Sequence, residues 1–97
     1  MNTVYEFIKN LIPCQIYTKK RENGDFLIIS NENLELYFLN ETAKDFYMRC
    51  DSFSSIDNIC NSMLKEYDVD ENVLKQDILS LIRDFQWQEI IELKERV

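Results

Sequence analysis

The stretch Asp25-Phe26-Leu27-Ile28-Ile29-Ser30-Asn31-Glu32-Asn33-Leu34-Glu35-Leu36-Tyr37-Phe38-Leu39-Asn40-Glu41-Thr42-Ala43 decides the fold. Phe26-Leu27-Ile28-Ile29 is a short apolar run of the kind a well-covered strand shows. Asn31-Glu32-Asn33 has turn chemistry, since Asn side chains bond back to nearby backbone and tolerate unusual φ angles. Leu34 to Leu39 then reads as a further strand. At Asn40 the period changes from two to about 3.6. Asn40 is a good N-cap, and Glu41 falls in the first turn, where the helix dipole favours an acid. Ala43, Phe46, Tyr47 and Cys50 follow at i, i+3, i+4 and i+7, one apolar stripe of a helix. Strands come first and helices after, which is an α+β order.

Upstream, Gln15 to Lys19 is predicted as the first strand of the sheet, and Glu22-Asn23-Gly24-Asp25 as a hairpin turn in which Asn-Gly supplies positive φ. Residues 15–39 therefore form a three-stranded antiparallel β-meander. Residues 1–13 are an N-terminal extension. Within it Val4, Phe7, Ile8 and Leu11 lie on one side of a short helix over Asn2 to Ile12, ended by Pro13; a strand-like arm is the alternative. Downstream, Ser52-Phe53-Ser54-Ser55 breaks the chain. Ser54 or Ser55 caps a second helix carrying Ile56, Ile59, Cys60, Met63, Leu64 and Tyr67. Asp68 or Asp70 opens a third, with a core stripe of Leu74, Ile78, Leu81, Ile82 and Phe85. The three helices span 40–86, and residues 87–93 suit a short terminal strand. No linker or repeat interrupts the 97 residues, so one domain is expected.

Composition excludes several function classes. The chain has no His, one Gly and one Pro. Without His the commonest acid–base group and metal ligand is missing, and one Gly cannot build a phosphate-cradling loop. The Glu41/Asp45 and Asp70/Glu71 pairs sit at helix starts, where acids are ordinary. Cys14, Cys50 and Cys60 form no CxxC pair and read as structural thiols. No enzyme, metal or cofactor is expected. A net charge of −7 opposes a phosphate backbone. The basic cluster Lys19-Lys20-Arg21 reads as a solvated strand end or turn. With no long apolar span and no secretion-type N-terminus, a cytoplasmic protein without membrane contact is expected.

Leu39-Asn40-Glu41-Thr42-Ala43 resembles the LNETA signature of PqqD-like proteins, where it joins the third strand to the first helix. Ser55-Ile56-Asp57-Asn58-Ile59 is similar to the opening of that family's second helix. Asp77-Ile78, Leu81-Ile82 and Phe85 follow its third-helix spacing, and Ile90-Ile91 takes the place of its terminal apolar pair. The likeness runs from about Gln15 to Leu93. Glu89 departs from it, standing where the family usually has Gly, and the first twelve residues have no counterpart. The resemblance implies a winged helix-turn-helix-like domain, called a RiPP recognition element. Such a domain binds the leader of a ribosomally made precursor peptide and presents it to a tailoring enzyme, such as a radical SAM protein, a cyclodehydratase or a leader peptidase.

In that family the leader adds as a strand beside the third strand and lies against the third helix. Carried onto this sequence, the expected peptide-binding residues are Leu34, Glu35, Leu36, Tyr37 and Phe38 of the strand. On the helix they are Val73, Gln76, Asp77, Ser80 and Asp84, whose polar and acidic groups suit a peptide with basic residues among apolar anchors. Leu34, Leu36 and Phe38 alternate with Glu35, Tyr37 and Leu39, so both strand faces are largely apolar. The third helix, the N-terminal segment or a bound peptide must cover the second face. Two other readings compete. DNA binding is disfavoured because Asp70 through Gln86 holds four acids against two bases, net −2. A dimerising or accessory interaction subunit without leader binding is the stronger rival, and homodimerisation stays open.

Overall fold

The computed structural model describes residues 3–95. In chain order they form α1 (Thr3–Ile8), β1 (Ile12–Gln15), β2 (Lys19–Asn23), β3 (Phe26–Ser30), β4 (Leu36–Leu39), α2 (Glu41–Met48), α3 (Ile56–Glu66), α4 (Glu71–Trp87) and β5 (Ile91–Lys94). The expected α+β order holds: a three-stranded antiparallel sheet, β2-β3-β4, is followed by three helices. A separate two-stranded sheet pairs β1 with β5.

Capping fixes the helix starts. The Asn40 side chain accepts from Ala43 N, that of Ser55 from Asn58 N, and that of Asp70 from Asn72 N and Val73 N. Each cap satisfies N–H groups that the helix itself leaves orphaned. The expected stripes then form one core with the inner face of the sheet, except that Tyr67 is exposed and caps α3 instead of joining its stripe. Leu27, Ile29 and Leu39 meet Phe46, Tyr47, Ile56, Ile59, Met63, Ile78, Ile82 and Phe85. Phe85 packs against both Phe46 and Tyr47, with ring centroids 6.2 and 5.5 Å away. All three cysteines are buried and free. Burial pushes the Cys50 thiol up to about 12, which leaves it unreactive.

Three sequence expectations are corrected. The first concerns the sheet's opening strand, which is Lys19–Asn23 and not Gln15 to Lys19. The hairpin loop is only Gly24-Asp25, with Gly24 at φ +64° and Asn23 already paired to Phe26. Counting back from so tight a loop puts Lys19 opposite Ser30. The cluster Lys19-Lys20-Arg21 is therefore the start of an edge strand, not the end of a strand or a turn, with Lys19 and Arg21 solvated as expected.

The second concerns the N-terminal segment. The described helix ends at Ile8, well before Pro13, and Asn2 lies outside the described residues. Ile12 to Gln15 is strand, with Pro13 facing Leu93. A short two-stranded ribbon tolerates Pro because an N–H on its outer side need not be donated to the ladder. The apolar stripe also differs. Tyr5 is the buried anchor and donates to Asp57 Oδ1 at 2.7 Å, whereas Val4 and Phe7 are exposed. The expected tail strand exists, shifted to Ile91–Lys94, and Trp87 belongs to the end of α4.

The third concerns the strand expected over Leu34 to Leu39, which begins at Leu36. Buried Asn31 accepts through Oδ1 from Asn33 N at 2.9 Å and Glu35 N at 3.1 Å. This lengthens the loop and leaves Leu34 in it at φ +65°.

Candidate functional site

The sheet order β2-β3-β4 leaves two free edges, and their chemistry differs sharply. The β2 edge reads Lys-Lys-Arg-Glu-Asn, the charged composition that blocks pairing with another chain. The β4 edge reads Leu-Tyr-Phe-Leu. It carries no charge and no Pro, so its outward N–H and C=O groups stay available to a further strand.

Register settles which way each side chain points. Tyr37 and Leu39 stand beside Ile29 and Leu27, on the core face. Leu36 and Phe38 stand beside Ser30 and Ile28 on the opposite face, where they are 63% and 69% exposed. Leu34, at 82%, is exposed as well. Among the described residues, neither α1 nor α4 covers this outer face.

The β3–β4 loop is tied to the end of α4 through Asn31. Its Nδ2 donates to Gln88 O at 2.8 Å and to Glu35 Oε1 at 3.0 Å. Asn33 Nδ2 adds a bond to Glu89 Oε2 at 3.2 Å. Gln88, Asp84, Leu81, Asp77 and Val73 stand at i, i−4, i−7, i−11 and i−15, one stripe of the helix. The bond to Gln88 O ties the C-terminal end of α4 to the β3–β4 loop. Leu81 is half-buried against the core, while Asp77, Asp84 and Val73 are exposed. Burial raises the Tyr37 phenol, and so do the carboxylates of Glu35 and Glu89. Tyr37 thus lies near the carboxylates of Glu35 and Glu89 where the β3–β4 loop meets the C-terminal end of α4.

The residues expected from sequence thus fall into several groups. Tyr37 and Glu35 lie in β4 and just before it, while Val73, Asp77 and Asp84 share one exposed side of α4. Leu34, Leu36 and Phe38 point to the outer face of the sheet, although Leu36 and Phe38 lend their backbone to the edge. Ser80 lies close to Val73 and Asp84 around α4 and also lines a groove of about 590 Å³ with Val4, Ile8, Leu79, Arg83 and Leu93. Gln76 is exposed and further round the helix.

Sequence reasoning missed Asn31, whose buried amide joins strand to helix. It also missed Glu89, whose carboxylate lies near Tyr37. Both left signals. Asn31 sits inside an Asn-rich turn, and Glu89 holds φ +58°, the left-handed conformation that a Gly would adopt without strain. Among the described residues, no group of three or more His, Cys, Asp or Glu side chains is placed to hold a metal ion. Among the described residues, no helix is long and apolar enough to cross a membrane.

Comparison with known proteins agrees with this geometry. No curated protein matches the chain. In its fold the chain is similar to a solved structure described as TbiB1 in complex with the TbiA(beta) leader peptide. The TM-score is 0.72 at 15% identity, over 80% of this chain and 94% of that one. A family model described as coenzyme PQQ synthesis protein D (PqqD) matches residues 26–91. That match runs from β3 through all three C-terminal helices to the first residue of β5, well over half the length, and this chain belongs to the PqqD family.

Proposed function

We propose that this protein binds the leader segment of a ribosomally made precursor peptide by strand addition to β4, and holds it for a separate modifying enzyme. The observation that carries this reading is the asymmetry of the two sheet edges. One is blocked by charge, and the other is uncharged and unpaired within the sheet. In β-augmentation the main chain supplies affinity, while pockets for alternate side chains supply register. Here Tyr37 and Leu81 offer the apolar contacts. Asp77, Asp84, Glu35 and Glu89 favour lysine or arginine among the leader's apolar anchors, because opposite charges attract across a partly dehydrated interface. The family and the leader-bound structural relative support the same role.

Hydrogen exchange on the full chain, with and without the precursor's leader as a synthetic peptide, tests this directly. Strand addition slows exchange at the Leu36 and Phe38 amides, whose outward N–H groups gain partners, and leaves the β2 edge unchanged. A leader that binds without protecting any β4 amide refutes the proposal.

A further inference from the structure

The outer face of the β2-β3-β4 sheet is a second surface, separate from the β4 edge. The register places Lys19, Ser30 and Leu36 in one cross-strand row, and Arg21, Ile28 and Phe38 in the next. With Leu34, these side chains line a concave groove of about 580 Å³. Two features set the groove apart from the rest of the molecule. Its only charges are cationic, on a chain of net −7. Among the described residues, neither Lys19 nor Arg21 takes part in an ion pair. By contrast, inward-pointing Lys20 bonds to Gln15 Oε1, and Glu22 pairs with Lys44.

Leu34 adds an independent observation. It is a large apolar side chain, 82% exposed, held at a φ of +65°. Asn or Gly would meet that backbone more easily. Strain retained at an exposed apolar position points to a contact the isolated chain does not make.

We infer that this face docks the modifying enzyme, through an apolar segment of that enzyme carrying one or more carboxylates that meet Lys19 and Arg21. The inference rests on the leader-presenting role proposed above. Charge complementarity selects the occupant. A second copy of this acidic chain and an anionic lipid surface are both opposed by the net charge of −7. A leader chosen by Asp77, Asp84, Glu35 and Glu89 carries the wrong sign for Lys19 and Arg21. An enzyme docked here would stand next to β4, and so within reach of a peptide bound along that edge.

The test uses the full chain, the purified modifying enzyme encoded with the precursor, and the leader peptide, with each binding measured separately. Lys19→Glu/Arg21→Glu lies on the edge strand farthest from β4 and changes only exposed side chains. It is expected to weaken enzyme binding about tenfold or more and to make it less sensitive to salt, with leader affinity unchanged. Enzyme binding equal to wild type overturns the inference. So does wild-type chain that sediments as a dimer while the double variant is monomeric. Co-sedimentation of wild type, but not the variant, with phosphatidylcholine–phosphatidylglycerol vesicles overturns it in favour of a lipid surface. Failure of the leader-binding role shows separately, as absent leader binding by the wild-type chain.

Discussion

Replacing Asn31 with Ala should loosen the β4 edge from α4 and so cost both stability and leader affinity. Asn31 is 1% exposed and makes four side-chain hydrogen bonds, to Glu35 Oε1, Gln88 O, Asn33 N and Glu35 N. The two bonds accepted by Oδ1 lie in a loop where water can replace part of the loss, at about 0.5–1 kcal/mol each. The bond to Gln88 O is the costly one. A part-buried carbonyl at the helix end would be stranded, at about 1–2 kcal/mol. The sum is about 2–4 kcal/mol, a large share of the roughly 5–15 kcal/mol that holds a domain together. Urea unfolding followed by circular dichroism measures it, and titration of a labelled leader measures the functional part. Asn31→Asp sharpens the test. It keeps the two accepted bonds but sets a carboxylate against Glu35 and Gln88 O, so its folded-state pKa is raised. Its deficit is then full at neutral pH and shrinks as acid protonates the new group. Asn33→Ala, on the exposed side of the loop, should cost less than about 0.5 kcal/mol. A loss below about 1 kcal/mol for Asn31→Ala with unchanged leader affinity would refute the claim that this amide sets the β4 edge.

Three further outcomes follow from the same structure. Asp77→Lys/Asp84→Lys should weaken binding of a basic leader about tenfold at low salt, with the gap narrowing as salt screens it and with no change in folding stability; equal affinities in a salt series would exclude an electrostatic role for that flank. Leu34→Asn should raise stability by about 1 kcal/mol by relieving a left-handed Leu, read as a higher urea midpoint, and a lower midpoint would mean that Leu34 already packs in the free chain. Acid should remove the contributions of Asp45 and Asp51. Burial pulls Asp45 up, but hydrogen bonds from Arg49 and Tyr67, with the Arg49 charge, hold it below the usual range. Hydrogen bonds from Ser54 N, Phe53 N and the Ser54 hydroxyl lower Asp51 despite slight burial. Because both folded-state values lie below the unfolded ones, the stabilisation is complete above the ordinary Asp range near pH 4. It is lost as pH falls through that range toward the folded values. Asp45→Asn and Asp51→Asn should flatten the decline in urea midpoint below about pH 4, and a decline parallel to wild type would show that neither carboxylate carries it.

Local chemistry explains why much of the molecule was legible before any coordinates. Caps act within one turn, so Asn40 marked the first helix start, and the sequence narrowed the other two to Ser54 or Ser55 and Asp68 or Asp70, of which the structure uses Ser55 and Asp70. The apolar stripes of α2, α3 and α4 named most of the core because the helical period alone puts those residues on one side. Gly24 marked the hairpin, though only pairing showed that the loop is two residues and that the basic cluster is a strand. Where local signals are weak or compete, sequence reasoning went astray. Val4 and Phe7 fit a helical stripe, yet so short a helix is held by one deep residue, and the hydrogen bond to Asp57 made that residue Tyr5.

The candidate site divides along the same line. Sequence by itself determined that a largely apolar strand runs into Leu39, that α4 bears acids on one flank, and that the LNETA segment joins the two halves of the fold. Those properties lie in single residues and their spacing. Only the tertiary structure decided that β4 ends the sheet, that Pro13 pairs with Leu93, and that Asn31 bonds to Gln88 across 57 positions. It also decided that Leu36 and Phe38 face outward, uncovered by any described helix. Pairing and coverage depend on which distant segments come together, and period-two alternation is the same whichever face the core takes.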